Sequence, residues 1–338
     1  MNNQDTTTSP NFLVFTGRSN PPLKEEMVAY LNTKYNQNFG GRVDIWNFED
    51  GEIGLKFMDN VRGKIVAIVQ PTNSTGETDS ILELLIMIDA AKRASADKVF
   101  GVIPCFGYAQ QDRKPEPRVS IAAKLMANLL EKAGANRIIT MDLHAPQIQG
   151  FFDIPVDHVY SSAIFIPVIQ ELHIPDLVVV SPDAGANKLA RFYARRLGAT
   201  LLRVDKARTG LNKTEVLNIE GDYEGRNKLV EGMNMLIVDD QINTAGTLVN
   251  AANALHERHA KSIIAACPHL LLAGNANARI DSSHLTKVYG TNSVMQNGTI
   301  SSKIEKLSIA QFLGEVTYRS ANNLSITSLY EDADELKR

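Results

Sequence analysis

An apolar run that ends in two acids and continues into small hydroxyl residues has the composition of a phosphate-binding turn. The run is LIVDDQINTAGT, residues 236–247. If its apolar part is a strand and a helix begins at Ala245, the backbone N–H groups of Thr244–Thr247 lie at a helix N-terminus, which favours an anion. Asp239 and Asp240 can then accept hydrogen bonds from ribose hydroxyls or help to hold a metal. The segment predicts a sugar-phosphate site, although an ordinary strand end with a helix cap has a similar pattern.

Short apolar runs recur along the chain between segments of helical periodicity, and this alternation predicts parallel sheets flanked by helices. The runs are FLVF, KIVAIV, KVFGVIP and RIITMD in the first half, and DLVVVS, TLLRVD, MLIVDD and SIIAAC in the second. Asp79 is predicted to cap one helix, and Ser120 to open another that stops at Gly134. A length of 338 residues exceeds the usual size of one core. We therefore predict an α/β protein with domains at residues 10–160 and 161–338.

The composition indicates the compartment and excludes some partners. The chain has 35 Lys and Arg against 38 Asp and Glu, a formal charge of -3, which argues against a nucleic-acid or anionic membrane partner. Its two cysteines, Cys105 and Cys267, lie in apolar runs and are predicted to be buried structural thiols in a reducing compartment. The polar start, MNNQDTTTSP, does not have the pattern of a signal peptide, and no apolar run reaches the length of a bilayer span. We expect a soluble, cytoplasmic protein.

Six segments together resemble a known family. Residues 236–247 resemble the phosphoribosyl pyrophosphate motif of type I phosphoribosyltransferases and their relatives. Five further segments follow the order of the ribose-phosphate pyrophosphokinase family: FEDGE (48–52), LELLIMIDAAKRASA (82–96), GYAQQDRK (107–114), MDLHAPQIQGFFDIPVDH (141–158) and SPDAGANK (181–188). The resemblance runs from about Phe12 to Tyr330. It implies two phosphoribosyltransferase-type α/β domains that move a diphosphoryl group from ATP to ribose 5-phosphate with Mg²⁺, giving phosphoribosyl pyrophosphate and AMP.

The resemblance also implies a role for individual residues. The catalytic pair would be Lys206 and Arg208, in the flexible loop VDKARTGLNK (204–213). The N-terminal domain would bind ATP through Phe48, Asp50, Gly51, Glu52, Gln110, Gln111 and Arg113. The C-terminal domain would bind ribose 5-phosphate through Arg208, Asp239, Asp240, Asn243, Thr244, Ala245, Gly246 and Thr247. The metal contacts would be His144 and Asp183.

The family resemblance further implies a homo-oligomer, commonly a hexamer. In such an assembly FEDGE reaches the adenine site of a neighbouring subunit, and phosphate and ADP act as effectors. Without the resemblance, an Asp-Gly pair of this kind would be interpreted as an exposed hairpin turn.

Four positions depart from the family pattern. Gln110 replaces a usual Arg, Glu116 enters a basic stretch, Ala186 replaces a usual Gly, and Asn243 replaces a usual Asp. These changes motivate one alternative, a catalytically weak paralogue that regulates a true synthase. The other alternative is a phosphoribosyltransferase that joins phosphoribosyl pyrophosphate to a base. The 236–247 segment alone allows it, but a second α/β half with FEDGE argues against it.

Overall fold

The computed structural model describes residues 10–73, 79–208, 214–221 and 230–330; for 205–208 and 214–221 it describes the backbone only. The described residues form two compact units. The first unit contains the residues up to Val159 together with Ser293–Met295 and Ser308–Leu329. The second unit contains Tyr160–Asn292, Gln296–Leu307 and Tyr330.

The first unit is built on a parallel sheet of five strands, in the order β1-β4-β5-β6-β7. Its strands are rich in Val and Ile because helices cover both faces of such a sheet, and β4 is buried along its whole length. The strands and helices of this unit are β1 (Phe12–Thr16), α1 (Pro21–Tyr35), β2 (Val43–Asn47), β3 (Ile53–Phe57), β4 (Ile65–Val69), α2 (Ser80–Arg93), β5 (Lys98–Ile103), α3 (Ala122–Ala133), β6 (Arg137–Met141), β7 (Val156–Val159) and α8 (Ala310–Ala321). The four apolar runs predicted as strands in the first half are confirmed.

Local signals set the limits of two helices in this unit. The Asp79 side chain accepts a hydrogen bond from the N–H of Leu82 at 3.0 Å, so the predicted cap of α2 is confirmed. Gly134 ends α3 in the left-handed conformation, also as predicted. The prediction that Ser120 opens α3 is wrong, because the helix begins at Ala122 and Ile121 occupies the cap position without a side-chain bond.

The helix α8 packs against the rest of the first unit through an aromatic cluster. The ring of Tyr318 stacks on Tyr35 with centroids 3.6 Å apart, and it meets the rings of Phe12 and Phe39 at 6.1 and 6.0 Å. The predicted domain of residues 161–338 therefore differs from the observed grouping at residues 308–329. These contacts join positions far apart in the sequence, so no local pattern indicated them.

A buried carboxylate fastens α8 to α1. The side chain of Glu315 accepts hydrogen bonds from Lys34 at 2.7 Å, Tyr35 at 2.9 Å and Arg319 at 2.8 Å. Although burial opposes ionisation, the bonds from Lys34, Arg319 and Tyr35 lower the pKa of Glu315 to about 2. Burial and the bond to Glu315 raise the pKa of Tyr35 to about 12. The ionised form of Glu315 is therefore the one that holds the two helices together.

The second unit is built on a sheet of seven strands, in the order β10-β9-β8-β11-β13-β15-β16. All neighbouring pairs are parallel except β9 and β10, which form an antiparallel hairpin. The elements of this unit are α4 (Ser162–Glu171), β8 (Leu177–Ser181), α5 (Asn187–Leu197), β9 (Thr200–Arg208), β10 (Thr214–Gly221), β11 (Asn234–Val238), β12 (Gln241–Ile242), α6 (Gly246–Glu257), β13 (Ser262–Ala266), β14 (His269–Leu270), α7 (Ala276–Ser282), β15 (Lys287–Thr291) and β16 (Ile304–Leu307). The four strands predicted in the second half are confirmed.

Both cysteines lie inside these cores. Cys105 and Cys267 are free and buried, and burial raises the pKa of the Cys267 thiol well above its usual value. The prediction that both thiols are buried is confirmed. Within the part of the chain that the structure describes, none of the helices combines the length and the apolar character of a membrane span.

We predict that Glu315→Gln makes the stability of the first unit less dependent on pH. Because the pKa of Glu315 is depressed in the folded protein, its contribution is complete above about pH 4.5 and falls as the pH drops towards 2. Between pH 7 and pH 3 the wild type should lose roughly 1–2 kcal/mol more than the variant. Urea unfolding followed by the fluorescence of Trp46, the single tryptophan, measures this difference.

A matched control is Asp89→Asn, which breaks an exposed ion pair with Arg93 on α2. Its pH dependence should stay within about 0.5 kcal/mol of the wild type because exposed pairs contribute little. Equal pH dependence in the wild type and Glu315→Gln would contradict the role given to Glu315.

Candidate functional site

Three carboxylates lie near one edge of the second sheet. The strands β8 and β11 are adjacent and parallel, so the residues that follow them, Asp183 and Asp239, lie at the same edge. Burial raises the pKa of Asp239 well above its usual value, and the negative charges of Asp240 and Asp183 raise it further. This edge therefore holds negative charge that a bound cation would relieve.

Residues Asn243–Thr247, here called the 243–247 turn, follow β12 and include the first two residues of α6. Hydrogen bonds to the carbonyl groups of Asn243 and Thr244 hold this turn. The N–H of Ala273 donates to the carbonyl of Asn243 at 2.9 Å, and Nη1 of Arg279 donates to the carbonyl of Thr244 at 2.9 Å. Ala245 then takes a left-handed conformation with a φ of 61°, and α6 begins at the next residue. The helix predicted to begin at this position is confirmed.

The surface of the 243–247 turn leaves room for a ligand. A methyl group added at Gly246 would meet only Nη1 of Arg279 and Oγ1 of Thr244, both at 3.8 Å, which is ordinary contact distance. The side chains of Asn243 and Thr244 are exposed, whereas Ala245 is buried. The absence of a side chain at Gly246 is therefore not required by packing within the described part of this chain.

Asp183 lies in a tight turn before α5. Its Oδ1 accepts hydrogen bonds from the N–H groups of Gly185 at 3.0 Å and Ala186 at 3.2 Å. Ala186 has a φ of -79°, a conformation that any L-residue adopts without strain. The departure from the family glycine at this position therefore needs no distortion of the backbone.

The strand β9 continues past the sheet edge. Ser181, the last residue of β8, is paired with Arg203, so Lys206 and Arg208 lie three and five residues further along β9. At 3.3 Å per residue they extend roughly 10 and 16 Å beyond the end of β8. The family resemblance implied a loop over residues 204–213, but residues up to Arg208 are strand because β10 pairs with them. Residues 209–213 and the side chains of Lys206 and Arg208 lie outside what the structure describes.

At the corresponding edge of the first sheet, His144 follows β6. Asp142 has a positive φ of 40°, and His144 is exposed. The N–H of Leu143 donates to Nε2 of the buried His158 at 3.0 Å, which fixes the backbone next to His144. Sequence reasoning did not single out His158. Its position on β7 is the only signal, because β6 and β7 are neighbours.

The segment after β5 carries the predicted ATP contacts Gln110, Gln111 and Arg113, all of which are exposed. Its start is fixed by Gly107, whose N–H donates to Oγ1 of Thr72 at 2.8 Å. A Cβ at Gly107 would lie 2.3 Å from the carbonyl oxygen of Thr72, so only glycine permits this approach. The segment is therefore anchored at its start and presents polar side chains at the sheet edge.

The FEDGE segment forms the turn of the β2–β3 hairpin. The N–H of Phe48 donates to the carbonyl of Glu52 at 2.8 Å, and the N–H of Gly51 to the carbonyl of Phe48 at 2.9 Å. Gly51 has a φ of 90°, and Oδ1 of Asp50 accepts from the N–H of Glu52. The whole turn is exposed, and the Phe48 side chain is 52% accessible. An aromatic ring at the tip of an exposed hairpin is available to a partner.

The base of this hairpin is fixed by a contact that sequence reasoning missed. Arg18, just after β1, donates through Nη1 to Oδ1 of Asn47 at 2.6 Å and through Nε to the buried Glu83 at 2.5 Å. Gln70 donates to the same carboxylate at 2.9 Å. Glu83 is a charged residue among apolar neighbours on α2, and that interruption is its one signal in the sequence.

Two family models match the chain. The model of the N-terminal domain of ribose phosphate pyrophosphokinase matches residues 12–134, and that of the phosphoribosyl synthetase-associated domain matches residues 209–331. The prediction of an α/β protein built from two phosphoribosyltransferase-type domains is confirmed.

Known proteins are similar along almost the whole chain. The ribose-phosphate pyrophosphokinase of Chlorobaculum tepidum is 48% identical over 319 residues, which cover 94% of each chain. The protein of that name from Ralstonia nicotianae is 44% identical over 327 residues, covering 96% of this chain and 99% of the relative. The crystal structure of phosphoribosylpyrophosphate synthetase from Mycobacterium smegmatis superposes with a TM-score of 0.81 at 33% identity, covering 93% of this chain and 100% of that one. On these grounds the chain belongs to the ribose-phosphate pyrophosphokinase family.

Proposed function

We propose that this chain transfers the diphosphoryl group of ATP to the anomeric hydroxyl of ribose 5-phosphate, giving phosphoribosyl pyrophosphate and AMP. The observation that carries the proposal is the 243–247 turn, which follows the paired acids Asp239 and Asp240 and opens α6 in a chain of this family. Strand, acids and helix N-terminus are the parts that a sugar phosphate needs.

Ribose 5-phosphate is proposed to bind at the edge of the second sheet. The N–H groups of Thr244–Thr247 and the positive end of the α6 dipole would hold the 5-phosphate. The open space beside Gly246 supports a phosphate in this position. Asp239 and Asp240 would accept hydrogen bonds from the vicinal hydroxyls of the ribose, and the exposed amide of Asn243 would add a neutral contact.

Magnesium is the proposed cofactor, and the acids of this edge suit it. Mg²⁺ prefers oxygen ligands and is commonly held by one or two carboxylates together with substrate phosphates. Burial raises the pKa of Asp239, and the charges of Asp240 and Asp183 raise it further, so a cation here would lower the repulsion among these carboxylates. When bound, the ion would neutralise phosphate charge. Asp183 would supply oxygen to it, and His144 would contact the metal and the ATP phosphates.

ATP is proposed to bind through two exposed segments of the first unit. Gln110, Gln111 and Arg113 would contact the nucleotide from the segment after β5. The FEDGE turn would supply Phe48 to stack on adenine and Asp50 and Glu52 to hydrogen-bond to it, with Gly51 allowing the turn. The exposure of the whole turn supports its docking on a neighbouring subunit.

A homo-oligomer is proposed because that arrangement needs a neighbouring subunit, and a hexamer is the size that the family resemblance implies. Leu82 on α2 and Leu125 and Leu129 on α3 are exposed apolar side chains on adjacent helices, which favours burial against another copy. Phosphate and ADP are proposed as effectors of this assembly. Two buried free thiols agree with a cytoplasmic location, which is proposed on that basis.

Catalysis is assigned to Lys206 and Arg208. Phosphoryl transfer depends on positioning and on positive charge near oxygens that become more negative in the transition state. The backbone of β9 carries both residues beyond the edge that holds Asp183 and Asp239. Lys206 would act as a compact charge, and Arg208 would bind phosphate oxygens of the transferred group and of ribose 5-phosphate.

A regulatory paralogue remains the second candidate because of specific exposed residues. Gln110 and Glu116 are exposed in the segment after β5, where the family carries more positive charge, and Asn243 is exposed in the 243–247 turn. We favour the active enzyme because Lys206 and the acids of the second sheet are retained.

Incubation of the purified chain with ATP, Mg²⁺ and ribose 5-phosphate tests the activity directly. AMP and phosphoribosyl pyrophosphate should form in equal amounts, and neither should form without ribose 5-phosphate. Failure to release AMP at any phosphate concentration would support the regulatory paralogue. Release of ADP would show transfer of a single phosphoryl group and exclude the proposed reaction.

Gly246→Ala tests the 5-phosphate site. Because the added methyl group fits the protein itself, stability should be unchanged or slightly higher. The methyl group should obstruct a phosphate on the 243–247 turn, so the Kd of ribose 5-phosphate should rise about tenfold or more while that of ATP stays within about twofold. Calorimetric titration of each substrate measures the two Kd values. An equal loss of affinity for ribose 5-phosphate and ATP would count against this phosphate site.

Lys206→Ala tests the catalytic assignment. If the charge acts mainly in the transition state, kcat should fall by roughly two to four orders of magnitude with a much smaller change in KM. Lys261→Ala serves as control because Lys261 is exposed and precedes β13, at the opposite edge of the sheet. A near-normal kcat in Lys206→Ala at unchanged melting temperature would remove this residue from the mechanism.

Mixing of two impaired variants tests whether sites are shared between subunits. If Phe48 completes a neighbour's site, Phe48→Ala and Lys206→Ala place their defects in different composite sites, and co-assembled chains should recover part of the activity. The control is each variant subjected to the same dissociation and reassembly alone. Mixtures no more active than the sum of their parts, with subunit exchange verified, would show that each chain builds its own site.

A further inference from the structure

Two successive carbonyl groups of the 243–247 turn are bonded to the same neighbouring segment. The carbonyl of Asn243 accepts from the N–H of Ala273, and the carbonyl of Thr244 accepts from Nη1 of Arg279, each at 2.9 Å. Ala273 precedes α7 and Arg279 lies on it. Both carbonyl oxygens therefore point towards the α7 side of the turn.

Because the trans peptide is planar, the direction of each carbonyl group also fixes the direction of the N–H group that follows it. In one peptide unit the C=O and the N–H point in opposite directions. A Thr244 carbonyl held by Arg279 directs the N–H of Ala245 away from α7, and an Asn243 carbonyl held by Ala273 does the same for the N–H of Thr244. The two bonds thus aim two neighbouring donors at the same side of the turn, and successive donors of this kind form an anion-binding concavity.

The turn requires such support because Ala245 is left-handed. A φ of 61° is unfavourable for any residue with a Cβ, and α6 supplies no side-chain cap at this end. Conformations of this kind persist where surrounding contacts determine them. The bond from Arg279 acts on the peptide immediately before Ala245, so it is placed to maintain the conformation.

The helix α7 is a fixed platform for Arg279. Ile280 is fully buried, and Oδ1 of Asn277 accepts from the N–H of Ser301 at 3.0 Å. Lys303 donates to the carbonyl of Ser283, just after the helix, at 2.7 Å. The Arg279 side chain is exposed, yet it reaches the turn from a helix that is bonded at both ends. The fixed helix α7 therefore fixes the Thr244 carbonyl through its hydrogen bond with Arg279.

We propose that Arg279 is a positioning residue for the 5-phosphate: by holding the carbonyl of Thr244 it keeps the N–H groups of the 243–247 turn directed at the phosphate of ribose 5-phosphate. The inference rests on the proposed function, because it names the residue that shapes that phosphate site. It acts through the turn and not through contact with the reacting atoms, so its effect falls on recognition of the phosphate and not on ATP.

Three variants test this role. Arg279→Met removes the donor and keeps an unbranched side chain, and Arg279→Lys keeps a charge and a single ammonium donor. Arg258→Met is the matched control, because Arg258 ends the same helix α6 and its Nη1 donates to the carbonyl of Ala254 at 3.1 Å. The control thus removes the same charge and the same type of bond at the other end of the helix.

Each variant is titrated calorimetrically with ribose 5-phosphate, ATP and phosphate-free ribose, and its melting temperature is measured. In Arg279→Met the Kd of ribose 5-phosphate should rise about ten- to hundredfold, the scale of one lost charge-assisted bond, while the values for ATP and ribose stay within about twofold. Arg279→Lys should lie between the wild type and Arg279→Met. Arg258→Met should match the wild type.

The outcomes separate this inference from the proposed reaction. If the Kd of ribose 5-phosphate is the same in Arg279→Met as in Arg258→Met, Arg279 does not position the phosphate site. The same conclusion holds if Arg279→Met weakens the binding of ribose and of ribose 5-phosphate equally. If Arg279→Met does not fold, the comparison of Arg279→Lys with the wild type decides in the same way. A wild type that binds ribose 5-phosphate but releases no AMP refutes the proposed reaction and leaves the binding comparison valid. A wild type without ribose 5-phosphate binding overturns both.

Discussion

The placement of three carboxylates at one edge of the second sheet is the constraint on which the proposed site depends. Asp183, Asp239 and Asp240 lie where parallel strands end. Burial raises the pKa of Asp239, and the charges of Asp240 and Asp183 raise it further. Every substrate and product of the proposed reaction is a polyanion, so this edge must also supply positive charge. In the proposed function, the α6 N-terminus, a divalent cation and the basic residues of β9 would be the sources of this positive charge. They would compensate the acids that are proposed to orient the sugar.

Parallel sheets bring such groups together because all their strands end on the same side. In the second unit this applies to the residues after β8 and β11, and in the first unit to His144 and the segment after β5. The buried strands fix the backbone, while the residues beyond them remain exposed to a ligand. Backbone contacts then determine the fine geometry, such as the approach of Gly107 to Thr72 and the bond between Arg279 and Thr244.

Structural features that depend on a few consecutive residues could be predicted from the sequence. Features that depend on contacts between residues remote in the sequence could not. The apolar runs gave the strands, Asp79 and Gly134 marked helix ends, and the 236–247 segment marked the strand–turn–helix unit. In the loop that the family resemblance implied at 204–213, residues 206–208 are strand, because pairing with β10 extends β9 through a polar sequence. Arg279 and the aromatic packing of α8 left no local signature, since each meets a partner that is remote in sequence.

A crystal structure of the chain with ribose 5-phosphate bound shows directly whether the 243–247 turn binds the phosphate of the sugar that accepts the diphosphoryl group. We predict phosphate oxygens within about 3 Å of the backbone nitrogens of Thr244–Thr247. We also expect the ribose hydroxyls to face Asp239 and Asp240 and Ala245 to keep its positive φ. A phosphate bound elsewhere, or a turn whose Thr244 carbonyl faces the ligand, would show that the 243–247 turn is not the phosphate site.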